Sequence, residues 1–341
     1  DIQVLGSESL AALSSDQVLA LRTAQIFALT TQQIKDLSTT SLRMLSTSQV
    51  AAISTNNLAM LAWEAIDALK TDQIKALTTS QIVGLTTQQV STLGTKTINA
   101  LTTTQIAAIQ TEDVAVLSQD NFALLNSSQL RALQTQQIVA LTTDQLLSLS
   151  SDALSVLTSS QLAALSSDKM NSLSLEKTPT LDGTQFLSFT TGQFQSLSTD
   201  VLNSLQSSTI SLLRTDLIAA LTTTQAYSLS TRAVSALTTT QIVAINTNDI
   251  AVLTSNSIQS LRSQQVQVLT SAQLNALTPE QLVTFDSSLL SQLTSNQWSS
   301  LNAAKINSLN TDVLSSLNST QIFGLTTNQV SRLSTATLAA L

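Results

Sequence analysis

An eight-residue repeat runs through the whole 341-residue chain without an insertion or a deletion. Every eighth residue from Leu5 to Leu341 is Leu, Ile or Phe, which makes 43 positions in all. We number the octad from this residue, so that slot one is the Leu and the consensus is Leu-Thr-Thr-x-Gln-Ile-x-Ala, as in Leu101–Ala108. A period this strict predicts an array of small stacked units rather than one globular core.

The slots of the octad separate a buried face from a variable one. Slot six holds a large apolar residue in 40 of 42 copies, with Thr178 and Ala226 as the exceptions. Slot three is Ser or Thr in 36 of 42 copies, slot five is Gln in 22, and slot eight is mostly Ala, Ser or Gly. No Lys, Arg, Asp or Glu occupies slots one, three or six. We therefore expect these three slots to be buried.

The spacing alone fits either a β-solenoid or a stack of very short helices, and composition favours the helices. A β-coil needs turn residues at every corner, and 6 Gly cannot supply them for 42 repeats. On a helical wheel, slots five, eight, one and six share one arc. Slot four holds 14 of the 21 acidic residues, as expected where the positive end of a helix dipole favours carboxylates. We predict an all-α repeat solenoid (superhelix) of very short helices, one per 8-residue repeat.

The N-cap of each helix has two candidate positions. Slot three is the stricter Ser/Thr position, and we favour it as the cap. Slot two is the alternative, because Pro279 in slot three would then be a first-turn proline after a Thr278 cap. In that case slot two would also form a capping box with the Gln of slot five.

A single octad cannot fold alone, because a helix of so few residues is unstable without neighbours. We predict one continuous octapeptide-repeat α-solenoid over residues 1–341. Three repeats per superhelical turn is our estimate, and layers about 10 Å apart would then give a rod about 140 Å long.

The pattern is least regular over residues 173–194. The departures from the consensus there are Leu175, Thr178, Pro179, Gly183 and Gly192. We interpret the stretch as a helix broken at Pro179, with the nearby Phe186, Phe189 and Phe194 filling the space that small residues leave. A hinge, a junction or a docking patch is the alternative.

The two tryptophans occupy different slots. Trp298 stands in slot six and is expected in the core, whereas Trp63 stands in slot three, among the capping candidates.

Several kinds of active site are excluded by composition. The chain has no Cys and no His, so thiolate sites, the usual zinc sites and Ser-His or Cys-His pairs are ruled out. Acidic residues are adjacent only at Glu112-Asp113, and the carboxylates are otherwise too dispersed for a calcium ladder. We predict no enzyme and no catalytic, cofactor-binding or metal-binding residue, and hence no cofactor and no small-molecule substrate.

Charge and apolar run length also narrow the classes of partner. The net charge is -7 without a basic block, which argues against nucleic acid, and no apolar run approaches the roughly 20 residues of a membrane span. Leu5, Leu10, Leu338 and Leu341 keep the core pattern, so no polar capping repeat is visible at either end. We expect either a segment of a longer array or a homo-oligomer or filament formed through uncapped ends or lateral faces.

The motifs LTTTQIAAI at Leu101–Ile109 and LTPEQLVTF at Leu277–Phe285 resemble the LTxxQIxAL octapeptide arrays of large bacterial secreted or cell-surface proteins. The resemblance covers the whole chain and carries no catalytic or ligand residue with it. It implies an extracellular or cell-surface location and a structural role.

Two functions follow as expectations. The first is a structural protein, either an extracellular fibre or filament subunit or the rigid stalk of a bacterial surface protein, without catalysis. The alternative is a superhelical binding scaffold for a peptide or glycan partner. A disordered polar chain is a third option, and the strict apolar slots argue against it.

Overall fold

The computed structural model describes residues 2–173, 177, 181, 183–285, 287–309 and 311–341. Within these ranges the regular structure is entirely helical, with a 3-10 turn at Ile2–Val4 and 41 α-helices of four to six residues. The prediction of an all-α repeat solenoid of very short helices is confirmed.

The chain divides into two compact units, Asp1–Leu173 and Ser174–Leu341. The division falls where the irregular stretch begins. Each unit by itself is an array of octads, and continuity of the solenoid over residues 1–341 stays a prediction.

The helices of the first unit are α1 Ser7–Ala11, α2 Ser15–Ala20, α3 Thr23–Phe27, α4 Thr31–Lys35, α5 Thr39–Met44, α6 Thr47–Ala51, α7 Thr55–Ala59, α8 Trp63–Asp67, α9 Thr71–Ala76, α10 Thr79–Val83, α11 Thr87–Ser91, α12 Thr95–Ala100, α13 Thr103–Ala108, α14 Thr111–Val116, α15 Gln119–Ala123, α16 Ser127–Ala132, α17 Thr135–Ala140, α18 Thr143–Ser148, α19 Ser151–Ser155, α20 Ser159–Ala164 and α21 Ser167–Asn171. Those described in the second unit are α22 Gly183–Phe186, α23 Thr191–Ser196, α24 Thr199–Ser204, α25 Ser207–Leu212, α26 Thr215–Ala219, α27 Thr223–Ser228, α28 Thr231–Ala236, α29 Thr239–Ala244, α30 Thr247–Val252, α31 Ser255–Gln259, α32 Ser263–Gln267, α33 Ser271–Ala276, α34 Pro279–Val283, α35 Ser287–Ser291, α36 Ser295–Ser300, α37 Ala303–Asn307, α38 Thr311–Leu314, α39 Ser319–Phe323, α40 Thr327–Val330 and α41 Thr335–Ala340.

The N-cap is slot two, so our preference for slot three was wrong. In the near-consensus repeat, Thr102 has extended backbone angles and its hydroxyl accepts the N–H of Gln105 at 3.3 Å. Slot three is the first residue of the helix, which is why Pro279 is tolerated there after a Thr278 cap. The cap must precede the helical angles, and slot three already has them.

Slot three is strict for a different reason, because it packs against slot eight of the octad three repeats further along the chain. A Cβ placed on Gly84 would lie 3.1 Å from the Cβ of Thr55, and one on Gly324 would lie 3.1 Å from the carbonyl oxygen of Ser295. Small side chains in these two slots therefore let successive coils approach closely. Most slot-three side chains, such as that of Thr103, are nevertheless exposed, so our expectation that slot three is buried was wrong.

The chain leaves each helix at slot one without a glycine turn. Leu101 has φ −58° and ψ 134°, and its N–H bonds to the carbonyl of Ile98 at 3.3 Å. Across the described ranges no residue has a positive φ. Slots one and two form an extended connection between helices, so the octad folds with 6 Gly in the whole chain.

The strongest helix packing joins helices that are three octads apart, as in α11 with α14 and α27 with α30. This spacing agrees with our estimate of three repeats per turn. Side-chain hydrogen bonds of slot five, however, reach back 28 and 31 residues, from Gln105 to Leu77 and Ile74. The coil in each unit therefore closes between three and four octads.

The aromatic residues of the irregular stretch are in the core, as our interpretation requires. Phe186, Phe189 and Phe194 are at most 1% exposed, and the rings of the first two lie 4.8 Å apart. Trp298 is also fully buried, as predicted from slot six. The departures at Leu175, Thr178 and Pro179 lie outside the described residues.

Candidate functional site

The most regular polar geometry in the molecule surrounds the Gln of slot five. Gln105 is 2% exposed, and its Oε1 accepts the N–H of the N-cap Thr102 at 2.8 Å. Its Nε2 donates to the carbonyls of Ile74 at 2.7 Å and Leu77 at 2.8 Å, in the preceding coil. We name this arrangement the glutamine clamp: one slot-five Gln, the slot-two N–H of its own repeat, and the slot-six and slot-one carbonyls 31 and 28 residues earlier.

The clamp recurs through both units. The slot-five residues that donate to both carbonyls include Gln33, Gln49, Gln73, Gln81, Gln89, Gln105, Gln129, Gln137, Gln145, Gln161, Gln225, Gln241, Gln265, Gln273, Gln281, Gln297 and Gln329.

Glutamine is suited to the clamp because its amide both accepts and donates. The slot-one carbonyl that it binds lies just after a short helix, outside the helical hydrogen-bond pattern. The slot-six carbonyl already accepts the N–H of slot one, as Ile74 does from Leu77 at 3.2 Å, and takes the Gln as a second donor. Each buried bond contributes about 1 kcal/mol net, whereas a buried carbonyl left unpaired costs about 1–3 kcal/mol. The clamp thus joins coil to coil and caps a helix with one side chain.

Basic side chains bind the same slot-one carbonyl in repeats that lack the Gln. Lys96 donates to Leu69 at 2.7 Å where slot five is Thr97, and Arg232 donates to Leu205 at 2.5 Å where slot five is Ala233. A cation is favourable there because these carbonyls form the negative end of a helix dipole. These basic residues therefore have structural partners within the array.

Slot-seven amides form a second row of bonds between coils. Asn203 donates from Nδ2 to the carbonyl of Ser228 at 2.7 Å, and its Oδ1 accepts the N–H of Ser230 at 2.8 Å. Asn275 and Asn307 repeat both bonds.

The slot-four carboxylates lie in the first turn of their helices, where the helix dipole favours them. Asp216 pairs with Arg214 at 2.8 Å, and the hydrogen bond from this guanidinium lowers the pKa of the carboxyl. The pKa of Glu280 is lowered by a hydrogen bond from its own backbone N–H and by one from the Thr278 hydroxyl. No three carboxylates converge on one point in the part of the chain that the structure describes.

Two carboxyl groups were missed by sequence reasoning, namely Asp113 and Asp249. Both stand in slot five, where they are 2% and 3% exposed. Burial is the main cause that raises the pKa of each. Sequence reasoning treated Glu112-Asp113 only as an acidic doublet, although the slot number separates an exposed Glu112 from a buried Asp113.

The second unit contains an apolar cavity of about 20 Å³. Its lining residues are Phe194, Leu202, Leu205, Ile210, Leu213, Ile218, Leu221, Leu229, Ala233 and Leu237. Such a space is far smaller than a ligand pocket and has no polar group to hold a water.

Exposed apolar side chains are mostly found in slots seven and eight. The more exposed ones include Phe27, Val139, Leu212, Tyr227, Val283 and Phe323. Trp63 is 42% exposed at the first residue of α8. Among the helices described, none has the length and apolar character that crossing a bilayer requires.

The motif of a known repeat family can be placed on the slots of the octad. Three stretches of the chain match the ALTTAQ repeat family. The matched residues are 1–31, 66–95 and 242–279, under a third of the chain. The six letters of that name correspond to slot eight followed by slots one to five, which end at the clamp Gln. The match supports a repeat array, and no curated protein matches the chain.

Proposed function

We propose that the chain is a structural protein, either a fibre or filament subunit or the rigid stalk of a bacterial surface protein, and that it performs no catalysis. The observation that carries this proposal is the glutamine clamp. In repeat after repeat, the slot-five Gln forms hydrogen bonds that join one coil to the preceding coil. Stiffness along the array follows from bonds repeated from coil to coil.

The proposed location is outside the cell or at its surface. It rests on the resemblance of motifs such as Leu101–Ile109 to octapeptide arrays of large bacterial secreted proteins. The neutral surface of Ser, Thr, Asn and Gln and the absence of Cys are compatible with that setting.

Self-association of copies through lateral faces is part of the proposal, and exposed apolar side chains of slot seven support it. Phe27, Val139 and Val283 are 66%, 57% and 54% exposed. A second copy packed alongside would remove this apolar surface from water.

Electron microscopy of the purified chain over a concentration series tests the proposal. Wild type should form long uniform filaments as concentration rises, and Phe27→Asp/Val139→Asp/Val283→Asp should prevent them. Ser80→Asp/Gln136→Asp/Asn296→Asp is the matched control, because it adds the same number of charges at exposed slot-four positions, where carboxylates are common in this chain. Circular dichroism would verify that both variants remain helical.

Discrete particles of one length at every concentration would overturn the filament hypothesis and leave the stalk. Turnover of a substrate, or capture of one peptide or glycan by the monomer, would overturn the structural role itself.

A further inference from the structure

In two repeats, the slot-five position of the clamp is occupied by aspartate instead of glutamine. Asp113 lies on α14 and Asp249 on α30, both in slot five. The slot-one carbonyls at the equivalent place in the preceding coil are those of Leu85 and Leu221. An ionised carboxylate can only accept hydrogen bonds, so it cannot bind these carbonyls.

Asparagine shows what a side chain of this length does in the same slot. The Nδ2 of Asn57 donates to the carbonyl of Leu29 at 2.7 Å, and that of Asn121 donates to Leu93 at 2.5 Å. Both acceptors are slot-one carbonyls of the preceding coil, so the shorter side chain keeps that bond of the clamp. Aspartate has the same shape but needs a proton to donate.

The carboxyl of Asp113 has no cation to stabilise its charge. Its Oδ1 is buried and has no hydrogen-bond partner in the described structure. The neighbouring helices α10, α11 and α17 carry no charged residue. Glu112 repels the charge, and only the Thr87 hydroxyl donates to it. Desolvation is the dominant effect.

Asp249 has similar surroundings. The packed helices α27 and α33 carry no charged residue, and the titratable Tyr227 of α27 is exposed. The charged residue on α26 is Asp216, which is paired with Arg214. The side chain of Asn246 donates a hydrogen bond to the Asp249 carboxyl.

We infer that Asp113 and Asp249 form two proton-dependent joints in the array. When protonated, each carboxyl donates its O–H to the slot-one carbonyl of the preceding coil, as Asn57 and Asn121 do with their amides. When ionised, the carboxylate loses that bond, and its negative charge is repelled by the carbonyl oxygen. The coils at these two places are held more tightly in acid than at neutral pH, which adds a pH response to the proposed structural role.

The direction of the pH effect follows from the raised pKa of both groups in the folded chain. A group with a raised folded pKa favours folding in its protonated form. Its contribution is complete below the unfolded Asp pKa of about 3.9. The contribution is lost as the pH rises through the folded pKa.

The test compares thermal unfolding of the full chain with that of Asp113→Asn/Asp249→Asn over a range of pH. At about pH 7.5 the double variant should melt about 2–4 °C above wild type, because the amide donates at any pH. Near pH 3.5 the difference should vanish, because the carboxyls are protonated there. Asp144→Asn, in an exposed slot-four position, is the control that should not show this pattern.

Hydrogen exchange localises the effect. In wild type, amides of α10, α14, α26 and α30 should exchange faster relative to other helices at neutral pH than in acid, after correction for intrinsic rates, and the double variant should remove this excess. A difference in melting temperature that is constant over pH, or a double variant less stable than wild type at neutral pH, would overturn the inference.

Discussion

The choice of amide over carboxylate in slot five is the most consequential feature at the residue scale. Gln137 accepts the N–H of Gln134 at 2.7 Å and donates to Ile106 at 2.9 Å and Ile109 at 2.7 Å. Glutamate has the same shape and could keep the first bond, but its ionised form would lose the other two. The neighbouring Gln136 is exposed in slot four, where a carboxylate suits the helix dipole.

We expect Gln137→Glu to lower the free energy of unfolding by about 1–3 kcal/mol at neutral pH and Gln136→Glu to change it by less than about 0.5 kcal/mol. Urea unfolding followed by circular dichroism measures both. Equal effects of the two substitutions would show that added charge, rather than the clamp, determines the cost.

The cavity beside Ala233 gives a second prediction at this scale. Ala233→Val should raise stability by about 1 kcal/mol, because Ala233 lines the cavity and its added methyl groups would fill space that is now empty. Ala100→Val, at a buried position away from the cavity, should instead cost about 1–3 kcal/mol through overpacking. Calorimetry of both variants checks the contrast, and stabilisation by both would show that the cavity is not the reason.

At the scale of the helix, the sequence of the octad predicts which slots are buried more readily than it predicts the N-cap position. Slots one and six could be predicted because burial selects large apolar residues in almost every copy. The cap was misplaced because the restriction on slot three comes from the close approach of another coil, as between Thr55 and Gly84. The carbonyls that the clamp binds could not be predicted either. The sequence of an octad does not specify how many residues make one superhelical turn, and this number determines which carbonyls lie beside each Gln.

Gly183 and Leu212 show how this contact between coils adapts. A Cβ on Gly183 would overlap the Cδ1 of Leu212, which stands in slot eight of the octad three repeats later. The absent side chain thus makes room for an unusually large neighbour.

Gly183→Ser, which restores a typical slot-three residue, should therefore destabilise wild type by about 1 kcal/mol. It should be tolerated when Leu212 is changed to Ala, and a double-mutant cycle by urea unfolding measures the coupling. Additive effects would show that the two side chains do not compete for space.

At the scale of the molecule, each helix depends on few others. The main packing partners of α29 are α26 and α32, three octads to either side. Damage should consequently spread by steps along a unit rather than through it at once.

Ile242→Ala, at a fully buried slot-six position on α29, should cost about 2–5 kcal/mol. Hydrogen exchange should show the loss of protection in α26, α29 and α32 first, with α40 retaining that of wild type. A uniform loss over the second unit would mean that the unit unfolds as one block.

The clamp also has a direction along the chain. Each slot-five amide donates to carbonyls that were synthesised 28 and 31 residues before it, as Gln105 does to Leu77 and Ile74. A chain leaves the ribosome amino terminus first. When a new slot-five Gln emerges, the carbonyls that it will bind have therefore already been synthesised. Successive coils can be added in the order of translation, each on a template that the nascent chain has already built.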